Sequence, residues 1–440
     1  MTFRPFIAVA LSAVLLCSAA PLAQAAVIGT NTAAQSISAA RIDALPAQDR
    51  DAWKAYLARS EQQNLADRAA LAAELKPGQP APPPPEEGPG GPKAMPLDRD
   101  AAWYATPEAR HIADVIVSFQ TPAGGWSKNQ PRTGALRQPG QPYAADNVSK
   151  HLGVDDFDAP RDPRWNYVGT LDNDATITEL RFLARVAGQA PGPAGEAWRT
   201  SFLHGVRYLL AAQFPNGGWP QVWPLEGGYH DAITYNDDAV TEAAELLTDV
   251  ANGQGDYVFA PTDLRKQAAS AADRALACVL ATQIVVDGKR TIWAQQHDAL
   301  TLKPAAGRNF EPAELSTEES ADLLLYLMSL PSPSPTLVKA VHAGADYLSA
   351  HAIYNQAWTG GRETEGGRRL TPKPGAGPLW ARYYARATNT PVFGDRDKTI
   401  HDDVNELSLE RRNGYAWFNT SPKKALDAYA IWKKAHPAAG

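Results

Sequence analysis

Two seven-residue segments of this chain, QTPAGGW at Gln120–Trp126 and QFPNGGW at Gln213–Trp219, share the pattern Q-x-P-x-G-G-W, and each follows a stretch of helical character. TIWAQ around Trp293 and QAWTGG around Trp358 are looser returns of the same pattern. A unit that repeats as helix, glycine turn and tryptophan cannot bury its apolar face alone, so it stacks on its neighbours. The repetition predicts helical hairpins closing around a centre, an all-α fold of the α/α toroid type. The tryptophans are expected to brace adjacent hairpins, because large aromatics are readily buried.

Helical periodicity supports this reading. Ile177, Leu180, Leu183 and Val186 recur at helical spacing, and Val240, Ala243, Leu247 and Val250 repeat the design before a stop at Gly253. STEESADLLLYLMSLPSP predicts a third helix, entered by Ser316 with Glu319 three residues on as a capping box, and ending before Pro331. Alternating β-branched runs are scarce.

The chain divides into four parts. Residues 1–25 have the form of an export signal, with Arg4, an apolar core too short for a membrane span, and a small-x-small site at Ala23-Gln24-Ala25. Leu16 before Cys17 argues against a lipoprotein signal. Residues 26–76 form an extension with two short helices expected around Trp53, Tyr56 and Leu57. Residues 77–100 are a Pro/Gly-rich linker, expected to be extended and without a core. Residues 101–440 are long enough for one large domain. Cys278 is the only cysteine left after signal removal, so neither an intramolecular disulfide nor a cysteine-based metal site is available. The expected product is an exported monomer, secreted or periplasmic, that does not stay in the membrane.

The net charge of −6 speaks against a nucleic-acid or membrane-surface binder. Any polyanion site must be local, and Arg362–Lys398 carries eight Lys or Arg against four Asp or Glu.

Chemistry is concentrated at helix entrances. Asp172, Asn173 and Asp174 precede one helix, and Asn236, Asp237 and Asp238 precede another 64 residues later in register. Helix capping and a metal site both explain such triplets. A metal held by oxygen ligands alone, with no cysteine and no H-x-x-H pattern, would be calcium rather than zinc. Lys303 and Arg308 lie in the loop before the third helix, where a lone arginine is ordinarily a solvated residue. Further on, Arg382, Arg386, Arg396 and Lys398 interleave with Trp380, Tyr383, Tyr384 and Phe393. Guanidinium forks suit carboxylates, and aromatic faces suit sugar rings.

From about residue 101 onward the chain resembles the family 10 polysaccharide lyases, the pectic acid lyases, through GGWSKN, LDNDATITEL, FPNGGWPQVWP, ITYNDDAV, IWAQQHD, KPAAGRNFEPAELS and WARYYAR...PVFGDRD in order. The resemblance implies an (α/α)3 toroid with an open groove and calcium-dependent β-elimination on polygalacturonate, giving 4,5-unsaturated oligogalacturonides. It implies Arg308 as the Brønsted base, and Asp172, Asn173 and one carboxylate of YNDDA, taken as Asp237 over Asp238, as Ca2+ ligands. Arg382 and Arg396 match the substrate-carboxylate binders. Lys128, Lys303 and Tyr383 complete the candidate substrate contacts, with Lys303 as the reserve base.

In such an elimination the C5 proton leaves and charge spreads onto the uronate carboxylate, where a bound cation stabilises it. Arginine is an awkward base, with an intrinsic pKa of about 12.5 to 13.8. It needs desolvation and nearby cations, for which calcium, Arg382 and Arg396 are candidates, together with alkaline pH. Two other classes stay open. A uronan hydrolase would pair Asp172 or Asp174 with Asp237, roughly 5 to 9.5 Å apart. A calcium-dependent pectin-binding module would keep the arginines and release no product. The glycine-tryptophan loops also occur in terpene-cyclase-like barrels, which fit export and an arginine-rich rim poorly.

Overall fold

The computed structural model describes residues 27–90, 94–153 and 155–438. The export signal read at residues 1–25 lies outside the described residues. Eleven α-helices are present among them: α1 (Ala39–Asp43), α2 (Ala47–Ala73), α3 (Pro107–Ser118), α4 (Ile177–Gly188), α5 (Glu196–Ala212), α6 (Ala239–Asn252), α7 (Thr262–Thr282), α8 (Thr317–Ser329), α9 (Pro335–Ala350), α10 (Leu409–Gly414) and α11 (Ser421–Trp432).

Their contacts form two layers. Helices α3, α5, α7 and α9 touch in succession, as do α4, α6 and α8, and α4 packs on α5, α6 on α7, and α8 on α9 and α11. The sequences suit these places. Helix α4 is buried at nine of its twelve positions, from Ile177 round to Ala187. Helix α7 buries only one stripe, Leu264, Ala268, Ala271, Ala275, Cys278, Val279 and Thr282, the pattern of a helix with one face to solvent.

The glycine turns join the layers by a repeated device. The carboxamide of Gln120 donates to Gly124 O at 2.8 Å and to Ser201 O of α5 at 2.9 Å. Gln213 does the same with Gly217 O (2.9 Å) and Ala271 O of α7 (2.8 Å), and Gln283 with Thr291 O and Ala340 O of α9 (both 2.9 Å). Each indole then donates to a carbonyl of the helix before its own turn: Trp126 to Ile116, Trp219 to Leu209 and Trp293 to Val279, at 2.7 to 2.8 Å. All three indoles are fully buried, so the bracing role is theirs. Trp358, read as the fourth return, does not share it. Its indole N–H has no partner and its ring packs on Phe418. Trp380 takes that place, donating to Leu348 O of α9 at 2.7 Å.

Helices are not the whole architecture, for several small sheets accompany them. One antiparallel sheet runs in the order Val27–Thr30, Thr399–His401, Pro391–Gly394, Tyr383–Tyr384, Leu315–Ser316 and ends at the start of α8. Strands of two to four residues leave almost no alternating pattern, yet they satisfy the backbone groups of the long loops that bear the chemistry. At α8, Ser316 is the N-cap residue by backbone but caps no N–H. Its hydroxyl donates instead to the Glu319 carboxylate. Helix α6 ends as expected, with Gly253 left-handed at φ 59° and its N–H on Asp249 O.

The extension and linker are part of this body. In place of two short helices there is one short helix, α1, and the 27-residue α2, whose Trp53 and Tyr56 pack on Phe214 of the second glycine turn. The Pro-rich segment lies along the 129–132 loop: Gly88 N donates to Asn129 O (2.7 Å), Asn129 Nδ2 to Glu87 (2.9 Å) and Arg132 to Pro89 O (3.0 Å). No helix among the described residues is long and apolar enough to cross a membrane.

Candidate active site

Helices α4, α6 and α8 are entered from acidic turns at 172–174, 236–238 and 316–319. The first two have the same backbone. Asn173 (φ 53°, ψ 38°) matches Asp237 (φ 51°, ψ 37°), and the next residues, Asp174 and Asp238, are again left-handed. Asn and Asp tolerate that region better than other side chains, which accounts for their use in the turns. Capping does not, because no side chain makes an N-cap hydrogen bond at either entrance. The triplets instead bring the two turns together: the Asn173 N–H donates to Asp237 Oδ2 at 3.3 Å, which sets the Asp237 carboxylate beside Asp172.

Each turn is gripped by residues two positions after the bracing tryptophans. Lys128, after Trp126, donates to Asp172 at 2.7 Å and sits 3.4 Å from the Tyr167 ring centre. Gln221, after Trp219, donates to the other Asp172 oxygen at 2.7 Å. Gln295, after Trp293, donates to Asn236 Oδ1. Arg382, after Trp380, reaches Asn236 Oδ1 at 3.4 Å, Glu318 at 2.8 Å and Glu319. The recurring spacing W-x-K/Q/R is the signal in the amino-acid sequence that could have found Gln221 and Gln295, which are invisible when each motif is read singly.

The acid pair is electrostatically strained. Burial tends to raise Asp172, but Lys128, with Asp237 and Arg308, outweighs it and holds the carboxyl below its usual range. Burial, then Asp172, pushes Asp237 well up. Asp174 is raised to about 7 by burial and by Glu242 and Glu179, and Asp238 is raised by burial and by Asp322, Glu242 and Glu319. Two facing carboxylates with only one ammonium between them form an oxygen site that a divalent cation would relieve. No three His, Cys, Asp or Glu side chains among the described residues are arranged to hold a metal ion, so a cation here would rely on Asn173 and on non-protein oxygens as well.

Arg308 lies in a tight turn before α8. Its N–H (2.8 Å) and Nε (3.2 Å) both donate to Glu311 Oε2, and Glu311 accepts from Tyr415 at 3.0 Å through its other oxygen. Gly307 permits this closeness, since a Cβ there would strike the Glu311 carboxylate. Burial pulls the Arg308 pKa down, but Glu311, then Tyr229, Tyr167 and Asp158, outweigh it and keep the guanidinium firmly protonated. Its close neighbours are the Glu311 and Asp158 carboxylates and the Tyr229 and Tyr167 phenols. Further cations stand behind Phe310, whose ring centre is 5.5 Å from the Arg308 guanidinium, 5.0 Å from Arg396 and 4.1 Å from Arg411.

The other candidates are placed differently. Arg396 is partly exposed and paired with Glu410 at 3.1 Å. Arg382 is buried and held by two glutamates, with only Nε left unpartnered. Tyr383 is fully buried, its hydroxyl bonded to Gln295 and, at 2.7 Å, to Tyr415, so it backs the site and does not face a sugar. The partly exposed Tyr415 is the aromatic in front of it. Lys303 stands exposed at a turn and shares no hydrogen bond with the Arg308 network. Glu311, Arg411 and Tyr415 were missed because nothing local separates them from ordinary polar residues. A cavity of about 680 Å³ between α2 and the 157–165 and 225–231 loops is lined by none of the acids or arginines above. Convergence of side chains, not enclosure, defines this site.

A family model described as pectic acid lyase matches residues 120–426. Among solved structures, a family 10 polysaccharide lyase from Cellvibrio cellulosa is 26% identical with a TM-score of 0.63, over 78% of this chain and 97% of that one. A mutant of the family 10 polysaccharide lyase from the same organism, in complex with trigalacturonic acid, is likewise 26% identical over the same shares, with a TM-score of 0.62. No curated protein matches.

Proposed function

Because the chain belongs to the pectic acid lyase family, we propose that it is an exported, calcium-assisted pectate lyase that cleaves de-esterified polygalacturonate by β-elimination. The two helix layers and their stepwise glycine-turn links support an (α/α)3 toroid for its body. The trigalacturonic acid bound to the mutant from Cellvibrio cellulosa supports an oligogalacturonate ligand.

The observation that carries the reading is the joining of two turns of equal backbone, where the Asn173 N–H donates to Asp237 Oδ2 at 3.3 Å and so sets Asp237 beside Asp172. Asp172, Asn173 and Asp237 would hold Ca2+, and the contact favours Asp237 over Asp238, whose carboxyl faces other acids. When bound, the ion supplies positive charge to the uronate carboxylate on which the carbanion's charge develops. Arg396, partly exposed, can meet a substrate carboxylate by exchanging Glu410 for it. Lys128 holds Asp172 ionised. Arg308, as the neutral guanidine, takes the C5 proton, the C5–H electron pair forms the C4–C5 double bond, and the C4–oxygen bond breaks with the oxygen leaving on the other saccharide fragment, where water protonates it. Since Glu311 holds Arg308 as a cation, turnover should rise toward alkaline pH.

A uronan hydrolase, pairing Asp172 or Asp174 with Asp237, is the second reading, favoured by Asp174, whose carboxyl burial and then Glu242 and Glu179 raise to about 7, the range that suits a general acid. Products decide between them. Ultraviolet absorbance is followed while residues 26–440 act on polygalacturonate, first in calcium and then in a chelator. Calcium-dependent growth of an unsaturated-uronate signal is the expected outcome. New reducing ends without that signal would overturn the lyase, and no product at all would leave a binding module.

A further inference from the structure

We propose that Asn31, in the segment before the family-matched region, is a positioning residue that sets the Arg308 turn against the Arg396 loop. The inference rests on the reading of Arg308 as base.

Asn31 is 8% exposed and follows the strand Val27–Thr30 that pairs with Thr399–His401. Its backbone N–H donates to Lys398 O at 2.7 Å, which fixes it beside the Arg396 loop. Its side-chain amide donates to Arg308 O (3.2 Å), Asn309 O (3.0 Å) and Glu311 O (3.1 Å). One NH2 group therefore gathers three carbonyls of the turn that carries both Arg308 and its partner Glu311. Its Oδ1 is oriented by Thr32 N at 3.0 Å. The turn is locked further by Asn309, which donates to Arg396 O (2.7 Å) and accepts from Phe157 N (2.9 Å). Proton acceptor and carboxylate binder are thus held in one frame, and Asn31 is the member of it supplied from outside the matched region.

The side chain's chemistry is specific. Aspartate would turn a carboxylate on three carbonyl oxygens, and leucine keeps the shape without a donor. A misplacement on the order of 1 Å of a reacting group costs about 10²-fold in rate.

The test uses residues 26–440 carrying Asn31→Leu, with Asn31→Asp as second variant should the first fail to fold. Amide hydrogen exchange is mapped without substrate, and kcat and KM are measured on polygalacturonate. The inference expects faster exchange confined to residues 307–312 and 396–398, a fall in kcat of about 10²-fold, and KM changed by less than about threefold. Ile37→Ala, in the same segment but away from the turn, should lower the melting temperature without that kcat effect. Unchanged exchange at the turn, or a KM effect alone, would overturn the proposal. Local loosening in a protein whose unsubstituted form makes no unsaturated product would retain the positioning role and refute the lyase reading instead.

Discussion

An arginine proposed to accept a proton as its neutral guanidine is held here by a carboxylate that favours the charged form. Glu311 takes two hydrogen bonds from Arg308, and that pairing sets the pH at which the neutral form is available. In Glu311→Gln the positive form loses its nearest anion, so the rising alkaline limb of the pH–rate profile should shift to lower pH even as the maximum falls. A limb that stays in place would assign the proton transfer to another group, with Lys303 the first to examine. Arg308→Ala should abolish turnover while leaving oligogalacturonate binding, measured by calorimetry, within a few-fold, because Lys128, Arg396 and the acid pair remain. Full activity in that variant would remove Arg308 from the mechanism.

At the scale of elements, the recurrent turn was legible because every part of it lies within about a dozen residues: glutamine, glycines, tryptophan and the preceding helix. The twin acidic entrances were legible for the same reason. What escaped has partners far along the chain. The choice of Trp380 over Trp358 depends on which indole meets Leu348, and the small sheet depends on strands too short to show a period. Helix α2 carries a further case. Asp67 is fully buried with Gln63 as its one hydrogen-bond partner and one oxygen unpartnered, and burial raises its carboxyl to about 6. A folded-state value above the unfolded one means the folded chain prefers the proton. Stability is therefore lost as pH rises from about 4 to about 6, and the full penalty stands above that window. Asp67→Asn should raise the melting temperature at pH 8, by an effect of about 1 to 2 kcal/mol after screening. The gain should vanish near pH 4. An equal gain at both pH values would mean packing, not charge, is responsible.

For the whole molecule, the boundary read near residue 100 is a change in composition and not in packing. Trp53 and Tyr56 cover Phe214, Tyr56 donates to Ala212 O, and the Pro-rich stretch is bonded to the 129–132 loop. Large aromatics of this kind are worth on the order of 3 to 5 kcal/mol each when removed from a core. A chain beginning at residue 101 should melt several degrees lower and bind a hydrophobic dye that the chain from residue 26 does not. Equal melting temperatures would restore the extension to the status of an appendage.

The strand at Val27–Thr30 pairs with Thr399–His401, so Val27 and its partner His401 stand 374 positions apart. During synthesis at about 5 to 20 residues per second, the first of these segments waits roughly 20 to 75 s for the second. Loop closure over that length cannot be rewarded until almost the entire polypeptide exists. The clasp that Asn31 places on the Arg308 turn is consequently closed only near the end of synthesis, whatever the order in which the helices form.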